Sequence, residues 1–144
     1  MERSFPIGTV SQKCGVKVPT IRYYEGIGLM RTPARTDSNR RLYGEADLQR
    51  LSFIKHAREL GFDISSIRTL LTLQDQPEQS CEAADAVAKA RLVDVEQRLA
   101  GLSALRVELQ KMIEGCAHGR VADCRVIEVL ADHSLCIHEH AVQP

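Results

Sequence analysis

The sequence predicts a mainly α chain: a small head of short helices with a β-wing, one long helix, and a short loop-and-helix segment beyond it. Three observations carry this expectation. Two short amphipathic segments flank the turn Gly15-Val16-Lys17. Apolar residues recur every seven positions at Ala88, Val95, Leu102 and Leu109. Three cysteines, Cys81, Cys116 and Cys124, bracket that repeat. A chain of 144 residues has room for one domain, or a small domain with an extended helical arm. Its composition, 44% hydrophobic and 26% charged, argues against a disordered chain, and 4% aromatics without Trp leave the core to Leu, Ile, Val and Ala. The start, Met1-Glu2-Arg3-Ser4-Phe5-Pro6, lacks an apolar signal core, and no apolar run approaches the length of a membrane span. A cytoplasmic chain without a membrane partner is expected. In that setting five cysteines favour metal or redox chemistry over a disulfide framework.

The elements follow in order. Ile7, Val10 and Cys14 form one face of a short helix over 7–14, which places Cys14 toward the core. A second helix runs from Val18 to Ile27, with Pro19 in its first turn, where a missing N–H costs nothing. Two short helices joined by a three-residue turn containing Gly form a helix-turn-helix pattern, which an ordinary helical hairpin would share. Residues 30–43 read as a β-wing: a polar, basic turn from Pro33 to Asn39, then a short strand Arg40-Arg41-Leu42-Tyr43. A helix over 45–59 uses Ala46, Leu48, Leu51, Phe53, Ile54 and Ala57, and ends at Gly61. Asp63 or Ser65 caps the next helix, through Ile67, Leu70, Leu71 and Leu73, and Asp75-Gln76-Pro77 stops it. The head therefore spans 1–76.

Ser80 suits the N-cap of a long helix, with 80–114 as the dimerisation segment. Leu92, Leu99 and Ile113 interleave the seven-residue repeat to make a coiled-coil seam, with Leu105 beside Arg106. Residues 115–131 read as a loop and a short amphipathic helix from Cys124 to Leu130, and 132–144 as a flexible tail.

The zero formal net charge hides an asymmetry. Residues 1–75 hold about twelve Lys and Arg against eight Asp and Glu, roughly +4, and the remainder balances this at roughly −4. A basic front half suits a nucleic-acid-binding head. In Thr20-Ile21-Arg22-Tyr23-Tyr24-Glu25, Ile21 packs inward while Thr20, Arg22 and Tyr24 face out near the helix start. Arginine pairs bidentately with guanine or phosphate, and tyrosine hydroxyls fix the backbone register. Lys17, Arg35, Arg40, Arg41 and Tyr43 extend this set toward flanking phosphates. Any one of these residues alone would equally suit a solvated charged face.

The cysteines make a second constellation. Residues 81–113 read as uninterrupted helix, roughly 50 Å at 1.5 Å rise per residue. Cys81 therefore cannot meet Cys116 and Cys124 within one chain, and a shared site needs a second chain running antiparallel. Two thiols across the loop Cys116-Ala117-His118-Gly119-Arg120-Val121-Ala122-Asp123-Cys124 can converge on one soft or borderline ion. His118 is a possible further ligand, or a loop histidine facing solvent. Cys136, His138 and His140 have chelating spacing for a second site, or belong to a functionally minor tail. His56 carries no mark of a ligand.

The motifs Ile7-Gly8, Thr20-Ile21-Arg22-Tyr23-Tyr24-Glu25, Ile27-Gly28-Leu29, Arg41-Leu42-Tyr43 and Ala57-Arg58-Glu59-Leu60-Gly61-Phe62 together resemble the MerR family of bacterial regulators, over essentially the whole chain through Leu130. The resemblance implies a winged helix-turn-helix head, a long antiparallel coiled-coil dimerisation helix, and a short C-terminal metal-binding loop and helix. It implies a homodimer on double-stranded promoter DNA whose overlong spacer is distorted until RNA polymerase can use it, and adds Tyr23 and Arg58 to the DNA-binding candidates. Many relatives carry an aromatic where Arg40 stands. The branch sensing zinc, cadmium, lead or mercury has a cysteine at the position of Cys81, and the copper(I) branch a serine. Cys81 thus favours one soft divalent ion per site over copper(I), although the loop length and its Asp123-Cys124 ending look like the copper loop. A thiol redox sensor is the alternative from another class, although no C-x-x-C pair occurs. A drug sensor would need a larger ligand domain, and no nucleophile–base constellation or phosphate-cradling glycine loop supports an enzyme.

Overall fold

Gly15 ends helix α1 (Ile7–Cys14) by taking a left-handed conformation, φ 65°, from which its N–H reaches Ser11 O at 2.9 Å. Glycine suits this position because a Cβ is disfavoured there. Helix α2 (Val18–Gly26) follows after the extended residue Lys17, with Pro19 in its first turn. In this computed structural model the chain is described over residues 3–38, 40–116 and 118–135. It divides into two compact units, Met1–Val87 and Ala88–Pro144.

The first unit carries a three-stranded antiparallel sheet of order β1-β3-β2, formed by β1 (Phe5–Pro6), β2 (Ala34–Arg35) and β3 (Arg41–Tyr43). Phe5 pairs with Tyr43, Pro6 with Leu42, and Arg35 with Arg41. The N-terminal strand is an addition to the expected wing, since two residues are too few to show an alternating pattern. Helix α3 (Glu45–Glu59) starts after Gly44, whose N–H donates to Asp47 Oδ2 at 2.9 Å. Helix α4 (Ile64–Gln74) is capped by Asp63, which accepts from Ser66 N at 2.7 Å. Of the two expected caps, Asp63 is the one used.

Val10, Ile21, Leu51, Ile54 and Ile67 are fully removed from solvent and form the centre of the head core. Each such side chain contributes about 1.5–3 kcal/mol relative to exposure. Cys14 is half-buried against this core, with its Sγ 3.6 Å from Leu48 O.

Ser80 Oγ accepts from Glu82 N at 3.3 Å, and helix α5 runs from Glu82 to Glu114, one residue later at each end than expected. Leu92, Leu99, Leu102, Leu109 and Ile113 are all more than half exposed. In the second unit a 3-10 turn (Val121–Asp123) leads to helix α6 (Arg125–Ala131), with Cys124 as its N-cap residue rather than its first helical residue. Gly115 lies close beside Arg125: a Cβ there would stand 2.7 Å from the Arg125 Cγ. Glu108, Met112 and Val129 are buried.

Candidate DNA interface and thiol loop

Helix α2 presents Arg22 and Tyr23 to solvent, Tyr23 being 55% exposed, with Thr20 half-buried. Ile21 and Tyr24 point inward. Residues three apart share a helix face, so Tyr24 follows Ile21 into the core rather than facing out beside Thr20 and Arg22. This corrects the expectation for Tyr24. The rings of Tyr23 and Tyr24 lie 6.0 Å apart, tilted at 49°.

Tyr43 is a second correction. On β3, residues two apart share a face, and both Arg41 and Tyr43 turn toward Glu25. The Tyr43 ring is buried and its hydroxyl donates to the Glu25 carboxylate. Burial, reinforced by that hydrogen bond, pushes the hydroxyl well above the usual phenol range, so it keeps its proton. Arg41 Nε lies 3.2 Å from Glu25 Oε2, buried and without a well-directed hydrogen bond, so that contact is mainly ionic. The Glu25 side chain is only 6% exposed. Glu25, whose role has no local signal in the sequence, thus ties α2 to the wing strand β3.

Arg22, Arg35, Arg40 and Arg41 line one groove of about 410 Å³ with Pro6 and Ile7 at the start of α1. Four guanidinium groups around one concavity favour an anionic backbone. The wing is closed behind them by Thr36 N to Arg40 O at 2.7 Å and Arg40 N to Thr36 Oγ1 at 3.1 Å. Lys17 is exposed beside α2, and Arg58 is exposed with Nη1 donating to Phe62 O at 3.0 Å. His56 is exposed.

The second unit brings two thiols together. Cys116 and Cys124 are free and half-buried. Cys124 is the N-cap residue of α6, with no side-chain capping hydrogen bond. The Ile127 amide first, then Val126 and Cys116, draw its pKa below the ordinary thiol value. His118 is exposed with φ 53°. Among the described residues no three His, Cys, Asp or Glu side chains of one chain cluster as a metal site. Cys136, His138 and His140 lie outside the described residues.

Cys81 belongs to the first unit, exposed and free. It lines an apolar groove of about 390 Å³ with Phe53, Leu70, Leu73, Pro77 and Ala84. Leu70 and Leu73 were expected only as apolar positions of α4; their partial exposure is what opens the groove.

A winged helix-turn-helix with an arginine-lined groove, followed by a long helix, defines a DNA-binding transcriptional regulator. The family model described as "MerR HTH family regulatory protein" matches residues 5–74, and that described as "MerR, DNA binding" matches 48–112. The HTH-type transcriptional regulator ZntR of Escherichia coli (strain K12) is 41% identical over 130 residues, 88% of this chain and 92% of that protein. The mercuric resistance operon regulatory protein of Bacillus cereus is 35% identical over 127 residues, 88% and 96% of the two chains. Among solved structures, the lead(II) complex of the transcription regulator PbrR691 from Ralstonia metallidurans CH34 superposes with a TM-score of 0.75 at 36% identity, covering 88% of this chain and 98% of that one. The chain belongs to the MerR family, whose members are DNA-binding regulators and not enzymes. No helix among the described residues is long and apolar enough to cross a membrane.

Proposed function

We propose that the chain is a metal-responsive transcriptional regulator in which Cys116 and Cys124 bind one soft divalent ion together with Cys81 of the partner subunit. The observation that carries this reading is that Cys116 and Cys124, both free and half-buried, stand at the two ends of one short loop leading into α6. Thiolates are the donors that soft and borderline ions prefer. The exposed α5 stripe of Leu92, Leu99, Leu102, Leu109 and Ile113 supports a homodimer, because a long apolar stripe on an isolated helix is unfavourable in water. With 33 helical residues following Cys81, an antiparallel partner is the means of completing the site. The names of two relatives add support: one regulates a mercuric resistance operon and another was solved with lead(II). A third thiolate favours zinc, cadmium, lead or mercury over copper(I). His118 is a candidate fourth ligand.

On the DNA side, Arg22, Arg35 and Arg40 with Lys17 and Tyr23 hold promoter phosphates and base edges, and Arg58 contacts flanking backbone. Thr20, at the start of α2, lies beside them. Arg41, paired with Glu25, shapes the groove. Metal binding orders the thiol loop and shifts the bound dimer to a form that distorts promoter DNA for RNA polymerase, the bending cost being offset by the surface engaged. Such a role places the chain in the cytoplasm.

Replacing Cys116 or Cys124 by Ser is expected to abolish the response of transcription to metal while leaving operator affinity intact. Loss of operator binding in folded variants would overturn the division between head and loop. Copper(I) bound tightly by wild type and Cys81→Ser alike, with no divalent ion bound, would reverse the metal preference. The two free thiols on one short loop also suit a redox reading, for which native mass spectrometry would find a Cys116–Cys124 disulfide and no metal.

A further inference from the structure

Helix α2 ends at Gly26, and the chain folds back so that Leu29 N and Met30 N both reach Tyr24 O, at 2.9 and 3.2 Å. Gly28 adopts φ 80° within this turn. Two carbonyls of the turn are taken by arginines from the following helices. Arg68 Nη2 on α4 donates to Ile27 O at 2.7 Å, and Arg50 Nε on α3 donates to Leu29 O at 2.6 Å. The Arg68 guanidinium passes 3.6 Å from where a Gly28 Cβ would stand. Arg50 is also tied to α4, its Nη1 lying 3.7 Å from Asp75 Oδ2, and Asp75 is the residue that ends that helix. Residues 76–80 alone separate Asp75 from Cys81.

We propose that Arg68 and Arg50 form a clasp on the carbonyl end of the recognition helix, through which movement of α4 and of the segment leading to Cys81 reorients α2 on DNA. They are positioning residues: neither lines the arginine groove on the wing side. Charge-assisted hydrogen bonds at a helix C-terminus align with its dipole and are directional. The apolar contacts of Ile21, Ile67 and Leu71 in the same core fix distance but are not directional. A two-point directional link adds to that packing a constraint on the orientation of α2 relative to α3 and α4. The input to this link rests on the metal-responsive reading above.

The test uses the full chain on operator DNA selected by the wild type from a random pool, with a fluorescent base at the centre. Zinc(II) and lead(II) are each titrated into wild type, Arg68→Gln and Arg50→Lys. Metal affinity without DNA and operator affinity without metal are expected to stay at wild-type values. The metal-induced fluorescence change is expected to fall about tenfold, within the ordinary range of allosteric coupling. Retention of the full metal-induced change overturns the clasp, as does loss of metal-free operator binding in variants that melt like wild type. If a variant fails to fold, Asp75→Asn, at an exposed carboxylate, carries the same expectation at smaller amplitude. If wild type binds DNA but responds to neither ion, the metal reading alone fails. Hydrogen exchange of the residue 18–30 amides in the operator complex then decides: faster exchange in Arg68→Gln supports the clasp, and unchanged exchange overturns it.

Discussion

In the first unit Val10, Ile21, Leu51, Ile54 and Ile67 are wholly removed from solvent, and Glu25, Arg41 and Tyr43 form a closed polar set beside them. In the second unit the buried side chains among the described residues are Glu108, Met112 and Val129, while Leu92, Leu99, Leu102, Leu109, Ile113 and Leu130 face outward. The first is a unit whose own packing holds its arginine-lined groove in shape. The second leaves apolar side chains exposed and carries two free, half-buried thiols. On the proposed function, the difference separates a preformed output from an input that the partner subunit and the ion complete. A regulator benefits from that separation, because a rigid reader transmits what a less packed sensor detects.

The strongest way to break the comparison is to damage the head core. Leu51→Ala is expected to destabilise the first unit by about 2–5 kcal/mol, the cost of a cavity among fully packed side chains. Urea unfolding read at the tyrosines checks this. A loss below about 1 kcal/mol would mean that the head is less self-sufficient than its burial indicates.

A smaller effect sharpens the role of the polar set. Tyr43→Phe leaves the buried Glu25 with one partner fewer and is expected to cost about 1–3 kcal/mol at neutral pH. The sign of its pH dependence follows from the raised pKa. The folded state holds the Tyr43 proton more tightly than the unfolded chain, so this contribution is complete below about pH 10 and is lost as pH rises further. Wild-type stability should therefore fall above that pH, and Tyr43→Phe should show less of that fall. Identical alkaline profiles would show that Tyr43 is not the group responsible.

The smallest expected effect distinguishes the thiols of the two units. Cys124 is drawn below the ordinary thiol pKa by the α6 amides and Cys116, whereas burial raises Cys14, opposed mainly by Lys55. Alkylation of metal-free protein followed by peptide mass spectrometry should thus set in at lower pH for Cys124 than for Cys14. The reverse order would remove the electrostatic basis for a primed thiol loop. Because its pKa is lowered, the favourable Cys124 contribution is present at alkaline pH and disappears as pH falls through the folded value.

Much of the head was legible because local rules and packing agree there. The Gly15 turn, Pro19 in the first turn of α2, the Asp63 cap and the apolar spacing of α3 each act over a few residues, and tertiary packing reinforces them. The exceptions are residues whose type is ambiguous. Tyrosine is both apolar and polar, so Tyr24 and Tyr43, assigned outward for their hydroxyls, went inward for their rings. Glu25 had no local signal at all, because its partner Tyr43 lies eighteen residues away and its role depends on how β3 packs against α2.

The sequence by itself determined the order of helices, the helix-turn-helix and its basic wing, the seven-residue stripe of α5, and the placing of Cys116 and Cys124 at the two ends of a loop. These rest on periodicity, capping and short spacing, which are local physics. Only the tertiary structure decided that four arginines share one groove, that Arg41 and Tyr43 turn to Glu25, that Arg50 and Arg68 grip the end of α2, and that Cys81 edges an apolar groove. Each of these joins residues far apart in the chain, and such contacts depend on how the elements pack, which no local pattern records.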